Sequence, residues 1–382
     1  MTIAIDIRCL MQPNYSGVAE YTYNLLENIF KIDEQNQYQL FYNSQHDVSA
    51  NLPKFSQANV QFFGFNYPNK LFNLGLKFFK YPKIDKLLSQ PDIFFMPNLN
   101  FSATTKKGRK ILTVHDLSFL LYPEYFSFKQ KFWHNFINPK KLINSCDKII
   151  AVSENTKNDL INFYRIPSEK IKVVHSGLDH NLYKQIALPN FNCQQFKNKY
   201  QLPDDFILFL GTLEPRKNIS GLIQAFDLLK LNFPEYINLH LVIAGDKGWK
   251  NQEIFQLAEK SPFTKQIFYL DYIQRSDKPY LYNLAKLFLF PSYYEGFGFP
   301  PLEAQACGVP VITSTNSSFI ETLGETAYLV KPDHLEEITE AIHQILSTPE
   351  IKNKLILQGL ENVKRFSWQN CAQDTLNILT NP

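Results

Sequence analysis

Short apolar runs alternate with helical patterns along the whole chain. The runs are continuous, which is typical of strands that a parallel sheet buries on both faces. The first half contains TIAIDI, DIFFM, KILTVH, DKIIAV and KIKVV, and the second half contains FILFLG, NLHLVIAG, KQIFYL, LFLF and GVPVI. Apolar residues at spacings of three and four predict a helix after the first run of each half, at Val18, Tyr21, Leu25, Leu26 and Ile29 and at Ile219, Leu222, Ile223, Phe226 and Leu229. This alternation predicts an α/β protein with two doubly wound, Rossmann-like parallel sheets.

The chain of 382 residues is long enough for two domains. Helical periodicity is lost near residues 180–200, so we predict an N-terminal domain over residues 1–190 and a C-terminal domain over residues 191–365. We expect a C-terminal helix, at about residues 366–382, to pack back on the N-terminal domain. Ligands of doubly wound sheets bind beyond the carboxyl ends of the strands. The expected site is therefore the cleft across which the two domains face each other.

Composition narrows the class of protein. The hydrophobic fraction of 45% and the charged fraction of 20% are those of a globular chain with a core. No apolar run approaches the ~18 residues of a membrane span. Asp6 and Arg8 interrupt the first run, so it is not a secretory signal. The five cysteines form no CxxC pair, which favours a reducing compartment, and hence a cytoplasmic protein, and disfavours a structural zinc site.

The net charge of +3 hides an asymmetry between the two halves. Residues 1–190 contain 22 Lys and Arg against 15 Asp and Glu, and the remainder contains 17 against 21, so the halves carry +7 and −4. The first half should therefore prefer an anionic partner. Its segment 67–88 interleaves lysines with Phe72, Phe78 and Phe79, which predicts an amphipathic helix. Such a helix lies on an anionic membrane or is an ordinary helix with a lysine-rich outer face, and the pattern favours neither.

The stretch PSYYEGFGFPPLEAQACGVPVI, residues 291–312, follows the strand LFLF and contains the most informative loop. Gly296 and Gly298 allow positive φ and let the backbone approach a ligand closely. Pro300 and Pro301 suit the first turn of a helix, where a missing N–H costs little. The loop therefore feeds the beginning of a short helix, which offers free N–H groups and a positive dipole end to a phosphate.

Two glutamates flank this loop. Gly308 suits the end of the helix, so Glu303 lies in its first turn and Glu295 lies in the loop before it. Carboxylates accept hydrogen bonds from hydroxyl groups, as sugar recognition requires. The alternative is a plain strand–loop–helix joint with solvated glutamates.

A second strand–loop–helix segment reads GTLEPRKNISGL, residues 211–222. Arg216 and Lys217 come just before the predicted N-cap, Asn218. Adjacent cations at a helix N-terminus oppose the helix dipole unless an anion binds there. This local conflict favours an anion site over a solvated surface pair.

Three further strand ends carry weaker signals. His115 ends the run KILTVH and Asp116 follows it, Gly17 precedes the first helix, and Gly245 ends the run NLHLVIAG with Lys247 two residues later. Each of these also fits an ordinary turn or a structural side chain. The sequence contains no GxxxxGK[ST], GxSxG, HExxH or D-x-D motif.

Together these segments resemble the family 4 retaining glycosyltransferases, which have the GT-B fold. EGFGFPPLEAQACGVPVI carries the family's E-x7-E pattern at Glu295 and Glu303, and GTLEPRKN, HDLSF, AVSENTKNDL and VVHSGLD occur in the family's order. The resemblance runs over nearly the whole chain. GTLEPRKN and EGFGFPPLEA are similar to bacterial mannosyltransferases, so the resemblance favours GDP-mannose as the donor over UDP-linked glucose, galactose or N-acetylglucosamine.

The resemblance also implies roles for individual residues. Glu303 is implied to bind the ribose hydroxyls of the nucleotide, and Glu295 to lie beside the transferred sugar. Arg216 and Lys217 resemble the pair that neutralises the diphosphate leaving group. Gly17 resembles the loop glycine that closes near the diphosphate and the acceptor.

His115 resembles the strand-end residue that contacts the sugar from the acceptor domain, with Asp116 beside it. The backbone of Gly298, Phe299 and Pro300 is implied to lie along the sugar and phosphates, although Pro300 offers no N–H.

The nucleotide base is expected near the loops that contain Gly245, Lys247, Tyr272 and Ile273. In one departure, many family members carry an arginine directly after the glycine of GTLEPRKN, where this chain has Thr212. The two cations of that loop are left with more of the charge.

The resemblance thus predicts retaining transfer of a hexose to a glycan or lipid-linked acceptor in bacterial surface polysaccharide synthesis, such as that of lipopolysaccharide. It implies no metal and no cofactor besides the nucleotide-sugar donor. Contact with the inner face of the cytoplasmic membrane is a further expectation, and nucleic acid is not, because the basic region has no reader motif. Two alternatives stay open. A nucleotide-sugar epimerase of the same fold would consume the donor alone, and a non-catalytic sugar-nucleotide or polyanion-binding protein would bind without turnover.

Overall fold

The structure, a computed structural model, describes residues 1–186 and 193–381. The chain forms two compact units. Unit 1 comprises Met1–Leu117, Phe128–Gly177 and the chain from Phe366 onward, and unit 2 comprises Ser118–Ser127 and Leu178–Arg365. The predicted domain boundary, between residues 190 and 191, lies outside the described residues. Because each unit is assembled from separate stretches of the chain, the structure divides the chain at more places than a single linker would.

Unit 1 contains a seven-stranded parallel sheet. Its strands are β1 Thr2–Asp6, β2 Gln37–Asn43, β3 Val60–Phe65, β4 Ile93–Met96, β5 Arg109–Val114, β6 Lys148–Ala151 and β7 Ile171–Val173. Their order is β3-β2-β1-β4-β5-β6-β7. The five strands predicted in this half are confirmed, and β2 and β3 were missed. Polar and exposed positions interrupt both of these strands, so neither forms a continuous apolar run.

Unit 2 contains a six-stranded parallel sheet. Its strands are β8 Phe206–Leu210, β9 His240–Ala244, β10 Ile267–Leu270, β11 Leu287–Phe290, β12 Val311–Ser314 and β13 Tyr328–Val330. Their order is β10-β9-β8-β11-β12-β13. The chain winds outward from β8 to β10 and then returns to β11, so the topological switch point lies between β8 and β11. The two predicted doubly wound sheets are confirmed, and among the strands of the described residues in this unit only the short β13 was missed.

Helices cover the connections between strands. They are α1 Gly17–Ile32, α2 Asn69–Leu74, α3 Ile84–Leu87, α4 Ser118–Leu121, α5 Phe128–Ile137, α6 Pro139–Asn144, α7 Glu154–Tyr164, α8 Cys193–Tyr200, α9 Ile219–Asn232, α10 Gln252–Lys260, α11 Lys278–Leu284, α12 Phe299–Ala306, α13 Phe319–Thr322, α14 Leu335–Ser347, α15 Pro349–Asn362 and α16 Trp368–Thr380. The predicted helices after β1 and β8 are confirmed as α1 and α9. Within the described residues, no helix combines the length and the apolar character needed to cross a bilayer.

The single amphipathic helix predicted over residues 67–88 is wrong. α2 continues as a π-helical turn, Gly75–Phe79, and the helical path stops where Lys80 adopts a φ of 53°. A left-handed residue breaks the run of helical hydrogen bonds, and Pro82, two residues later, has no N–H to continue it. Two short helical pieces, Asn69–Phe79 and Ile84–Leu87, therefore replace the single helix, and Lys80 and Lys83 lie in the connection between them.

The last helix, α16, belongs to unit 1. The ring of Trp368 lies 5.9 Å from that of Tyr21 on α1, and the Arg109 Nη2 donates to the carbonyl of Leu379 over 2.9 Å. A Cβ on Gly177 would lie 2.2 Å from the backbone nitrogen of Trp368, so only glycine permits this approach. Unit 1 is thus completed by the end of the chain.

Candidate active site

The loop after β11 leads into α12 as the glycine and proline pattern predicts. α12 begins at Phe299, with Pro300 and Pro301 in its first turn. Gly298 has a φ of 97°, and a Cβ there would lie 2.8 Å from the ring of Phe319. Gly298 is therefore required both by its backbone and by the space around it. Gly296 does not adopt a positive φ, so its backbone conformation does not require glycine.

Hydroxyl groups that follow β12 hold this loop in place. Ser317 Oγ accepts from the backbone N–H of Glu295 over 2.9 Å, and Ser318 Oγ donates to the Glu295 carbonyl over 3.0 Å. Thr322 Oγ1 donates to the carbonyl of Phe297 over 3.3 Å. Both peptide groups of Glu295 are thereby fixed, so its side chain leaves the loop in a defined direction. In the sequence, only the polar run STNSS hinted at these anchors.

Four charged side chains meet at the switch point of unit 2, and we call them the charge cluster: Glu214, Arg216, Lys217 and Glu295. Glu295 Oε1 lies 2.5 Å from the Lys217 Nζ and 3.0 Å from the Arg216 Nη1. On its other side, the Arg216 Nη2 lies 2.5 Å from Glu214 Oε1. All four side chains are largely buried. The cluster therefore carries two positive and two negative charges at the edge where parallel α/β sheets bind ligands.

The loop after β8 delivers the two cations through a 3₁₀ turn, Pro215–Lys217. Asn218 stands at the N-cap position of α9, as predicted, but its side chain does not cap the helix. It has a φ of 57°, and its Nδ2 donates to the carbonyl of Pro332 over 2.5 Å. The capping prediction is therefore wrong for the side chain. The conflict between the cations and the helix dipole is relieved by Glu214 and Glu295 instead.

The cations determine the ionisation of Glu295. Burial by itself raises the pKa of this carboxyl, but the charges of Arg216 and Lys217 and their hydrogen bonds outweigh burial, and the net pKa lies below its ordinary value. Lys217 also places its Nζ 5.0 Å from the centre of the Phe290 ring. Glu295 is therefore an anion at neutral pH, held against two cations.

Glu303 is the fifth residue of α12, so it lies in the second turn and not in the first turn as predicted, and it is only 3% exposed. The hydroxyl of Tyr282, from α11, donates to Glu303 Oε2 over 2.8 Å. Burial and the neighbouring Glu303 carboxylate raise the pKa of Tyr282 well above its ordinary value, so the hydroxyl stays protonated and remains a donor. Tyr282 orients Glu303, and nothing in the sequence pattern around Tyr282 indicated this function.

The loops expected near the nucleotide base follow β9 and β10. Gly245 has a φ of 136°, and a Cβ there would lie 2.1 Å from the carbonyl oxygen of Gly211, so the loops after β8 and β9 touch backbone to backbone. Lys247 is exposed, with its Nζ 5.3 Å from the ring of Phe255. Ile273 is buried, whereas Tyr272 is partly exposed. Contact of these residues with a base stays a prediction.

In unit 1, His115 follows β5 and is held by its surroundings. Its Nε2 lies 2.9 Å from the carbonyl oxygen of Pro97, and the ring of Tyr21 packs edge-on at 4.7 Å. Burial lowers the pKa of His115, against the opposing effects of the Pro97 carbonyl and of Asp116. The neutral ring, donating from Nε2, keeps Nδ1 as an acceptor for a hydroxyl group. Asp116 lies next to it, partly exposed.

The loop after β1 carries one predicted and two unpredicted features. α1 begins at Gly17 itself, one residue earlier than predicted, and Ser16 Oγ caps the helix by accepting from the Ala19 N–H over 3.4 Å. A Cβ on Gly17 would meet nothing within 4 Å, so packing does not require glycine there. Asp6 and Arg8 form a buried ion pair of 2.5 Å at the switch point of this sheet, between β1 and β4. Sequence reasoning used both only to reject a signal peptide.

The two units, each with a doubly wound parallel sheet, define a protein of the two-domain GT-B fold class. Sucrose-phosphate synthase from Thermosynechococcus elongatus has a similar fold, with a TM-score of 0.77 and 18% identity over 99% of this chain and 98% of that chain. Anabaena Alr3699/HepE in complex with UDP and glucose has a TM-score of 0.74 and 18% identity over 100% of both chains. These likenesses confirm the predicted fold.

Comparison of sequences identifies the family. The model of Glycosyltransferase Family 4 matches residues 15–182, and that of Glycosyl transferases group 1 matches residues 191–361. O-antigen chain mannosyltransferase B of Escherichia coli is 33% identical over 284 residues, 73% of this chain and 72% of that protein. Serotype-specific mannosyltransferase WbdA of Escherichia coli is 31% identical over 274 residues, 71% of this chain but 33% of that longer protein. The chain belongs to the family 4 glycosyltransferases, as the E-x7-E loop predicted.

Proposed function

We propose that this glycosyltransferase moves mannose from GDP-mannose, with retention of configuration, to a glycan or lipid-linked acceptor of a bacterial surface polysaccharide. The observation that carries the proposal is the charge cluster at the switch point of unit 2, where Arg216 and Lys217 meet Glu295. The two mannosyltransferases to which the chain is similar support mannose as the sugar. The solved structure that contains UDP and glucose supports a nucleotide-sugar donor.

In this proposal the two cations stabilise the leaving group. Negative charge builds on the diphosphate as the bond to the sugar breaks, and removal of one preorganised donor from such a site costs ~2.7–4 kcal/mol. Glu214 and Glu295 already neutralise Arg216 and Lys217, so the diphosphate shares the cations with these carboxylates. Beside the leaving group, Glu295 can accept hydrogen bonds from sugar hydroxyls and offset the positive charge that develops on the sugar.

We propose same-face attack for the transfer. The bond between the anomeric carbon and the phosphate oxygen breaks, the acceptor oxygen bonds to that carbon on the same face, and the acceptor proton passes to the departing phosphate oxygen. The scheme uses no resident metal and no further cofactor. A covalent sugar trapped on Glu295 and detected by mass spectrometry would overturn it.

Thermal-shift titration with GDP, UDP, ADP and dTDP tests the donor. A ligand at ~100 times its dissociation constant adds ~2.7 kcal/mol of stability, which is a readable shift. We expect GDP to give the largest shift. A larger shift with UDP would replace mannose by a UDP-linked sugar, and no shift with any nucleotide would contradict the donor site.

Donor turnover separates the alternative activities. Incubation of GDP-mannose without acceptor should leave the sugar unchanged, because transfer needs an acceptor. Conversion to another nucleotide sugar without acceptor would indicate an epimerase. Binding of GDP-mannose with no product in the presence of lipid-linked acceptor extracts would indicate a non-catalytic binding protein.

We further propose that unit 1 contacts an anionic membrane. The contact surface, which we call the basic aromatic face, consists of Phe78, Phe79, Phe128, Phe132, Lys77 and Lys80. Phe79 is 80% exposed and Phe128 is 85% exposed. Exposed aromatic rings beside cations suit the interface of an anionic bilayer.

Internal contacts support treating this surface as one face. The rings of Phe78 and Phe136 lie 5.6 Å apart, and the Lys77 Nζ lies 5.4 Å from the Phe136 ring, which joins the 75–79 turn to α5. Partial burial lowers the pKa of Lys80, and the charges of neighbouring lysines lower it further. These charges repel one another, so an anionic surface would relieve them.

Flotation with vesicles of phosphatidylglycerol and phosphatidylcholine tests this contact. We expect binding at low salt and its loss in the double variant Lys77→Glu, Lys80→Glu. Lys172→Glu changes the same charge at an exposed position of β7 and should leave binding intact. Failure of the unaltered protein to float with anionic vesicles at low salt would contradict membrane contact.

A further inference from the structure

Residues 118–127 follow His115 and Asp116 closely in the chain but belong to unit 2. They comprise α4 and a 3₁₀ turn, Pro123–Tyr125, and we call them the strap. No sequence signal indicated that this segment leaves the unit in which the preceding strand lies. Its contacts within unit 2 include those with the loops that follow β9 and β11.

Aromatic rings and hydrogen bonds attach the strap, including one between the Tyr125 and Tyr293 side chains. Tyr125 stacks on Tyr293 with ring centres 5.2 Å apart, and Tyr122 packs on Tyr294 at 5.7 Å. The indole N–H of Trp249 donates to the carbonyl of Tyr125 over 2.6 Å, and the Lys250 Nζ donates to the carbonyl of Glu124 over 2.6 Å. The strap thus covers Tyr293 and Tyr294 of the loop after β11. Hydrogen bonds from the loop after β9 hold the strap in this position.

The two covered residues hold Arg216. The Arg216 Nη1 donates to the carbonyl of Tyr294, and the backbone N–H of Tyr293 donates to the carbonyl of Arg216 over 2.9 Å. Both the side chain and the backbone of Arg216 are therefore attached to the dipeptide that the strap covers. The same Nη1 lies 3.0 Å from Glu295 Oε1, and the Nη2 lies 2.5 Å from Glu214 Oε1.

We infer that the strap orients Arg216 toward the donor diphosphate, with Tyr125 as its positioning residue. This inference rests on the proposed donor site. A guanidinium recognises phosphate through a planar fork of donors, so small rotations cost binding. The rings of Tyr125 and Tyr122 restrict the Tyr293–Tyr294 peptide and, through it, the plane of the Arg216 fork. A merely structural strap would add stability without affecting how the diphosphate is bound.

The ratio of GDP to GMP affinity isolates the contribution of the β-phosphate, because both ligands share base, ribose and one phosphate. Titration calorimetry would measure this ratio for the unaltered protein, Tyr125→Ala and Tyr125→Phe. We expect Tyr125→Ala to lower the ratio at least tenfold while GMP affinity stays within twofold. Tyr125→Phe keeps the stacked ring and loses only the hydrogen bond between the Tyr125 and Tyr293 side chains, so it should keep the ratio within threefold.

Phe233→Ala is the matched control. It removes a stacked pair in the same unit, in which the rings of Phe233 and His343 lie 3.8 Å apart and His343 packs on Tyr236. Phe233 follows the last residue of α9, whereas Arg216 and Lys217 precede its first residue. We expect this variant to lose stability but to keep the GDP to GMP ratio. If Tyr125→Ala does not fold, Tyr125→Leu keeps most of the apolar volume without the stacking and carries the same expectation.

Two results would overturn the inference. One is a ratio within twofold of the original in a folded Tyr125→Ala or Tyr125→Leu variant, and the other is an equal loss of GDP and GMP affinity. If the unaltered protein prefers UDP to GDP, the proposal of a GDP-linked donor fails by itself. The ratio of UDP to UMP then tests the strap in the same variants, so the two proposals fail separately.

Discussion

At the scale of single residues, the chemistry of unit 2 depends on how four buried charges are paired. An isolated charge taken out of water costs several kcal/mol, and removing one partner of a buried pair costs ~3–5 kcal/mol. Glu214 and Glu295 meet this need for Arg216 and Lys217. The two carboxylates therefore allow the cations to be buried at the edge of the sheet, where they can bind a diphosphate.

Lys217→Ala should reduce turnover by roughly 100- to 1,000-fold, because it removes one preorganised cation from the leaving group. Steady-state kinetics with a saturating donor would measure the effect, and circular dichroism would check the fold. Lys260→Ala, which removes an exposed cation of α10, is the control and should leave turnover unchanged. Activity within threefold of the unaltered enzyme in Lys217→Ala would show that the phosphate assignment is wrong.

Glu303→Ala should chiefly weaken donor binding. A hydrogen bond to a charged group contributes ~1.5–3 kcal/mol, so the affinity should fall roughly 10- to 150-fold. Tyr282→Phe keeps the carboxylate but removes the donor that orients it over 2.8 Å, and a smaller loss is expected. Calorimetric titration with GDP would measure both, and unchanged affinity in Glu303→Ala would count against the ribose contact.

Stability should depend on the ionisation of Glu295 in acid. Its pKa in the folded protein lies below the ordinary value of 4.5, so the unfolded chain takes up a proton first as the pH falls. The stability from the ionised carboxylate is fully present above about pH 4.5 and is lost as the pH falls through the folded pKa. Urea unfolding should therefore show a shallower loss of stability below this pH in Glu295→Gln. Parallel curves for the two proteins would contradict the ion pairing.

At the scale of elements, strand ends and helix starts place the site, and glycines permit the close contacts between them. The loops after β8 and β9 touch at Gly211 and Gly245, and α12 begins after Gly298. The apolar runs predicted most strands, because burial on both faces leaves a continuous signal. β2 and β3 were missed because polar residues interrupt their apolar runs. The break in residues 67–88 was missed because periodicity alone would continue a helix that the left-handed Lys80 ends.

Gly245→Ala should destabilise the protein more than Gly324→Ala. Both glycines have a positive φ, and the left-handed φ of 50° at Gly324 costs a residue with a Cβ ~1–2 kcal/mol. At Gly324 a Cβ would meet nothing within 4 Å, whereas at Gly245 it would lie 2.1 Å from a backbone carbonyl oxygen that cannot turn aside. Urea unfolding of the two variants provides the comparison. Equal losses would show that the loops after β8 and β9 are not in contact as described.

At the scale of the whole molecule, the order of segments along the chain does not determine which unit each segment belongs to. The strap takes residues 118–127 into unit 2, and α16 brings the end of the chain into unit 1. The two units are therefore joined by several chain crossings rather than by one linker. A chain truncated after residue 177 would lack the helix that packs on α1.

Trp368→Ala should destabilise unit 1 by about 3–5 kcal/mol, the usual cost of truncating a buried aromatic side chain. Trp368 is buried between Tyr21 and the backbone of Gly177. Trp133→Ala removes a tryptophan that is 41% exposed and should cost clearly less. Denaturant unfolding followed by far-ultraviolet circular dichroism would measure both. Equal losses would contradict the docking of α16.

The sequence by itself determined the two parallel sheets, the loop at residues 291–312, the cations at 216 and 217 and the membership of the family 4 glycosyltransferases. These are local properties, because apolar periodicity, glycine and proline positions and motif spacing act over a few residues. Only the tertiary structure decided that Glu295 pairs with Lys217, that Tyr282 orients Glu303, that the strap covers the loop holding Arg216, and that α16 completes unit 1. Each of these joins residues far apart in the chain, and strand order, which local pattern does not encode, sets which of them meet.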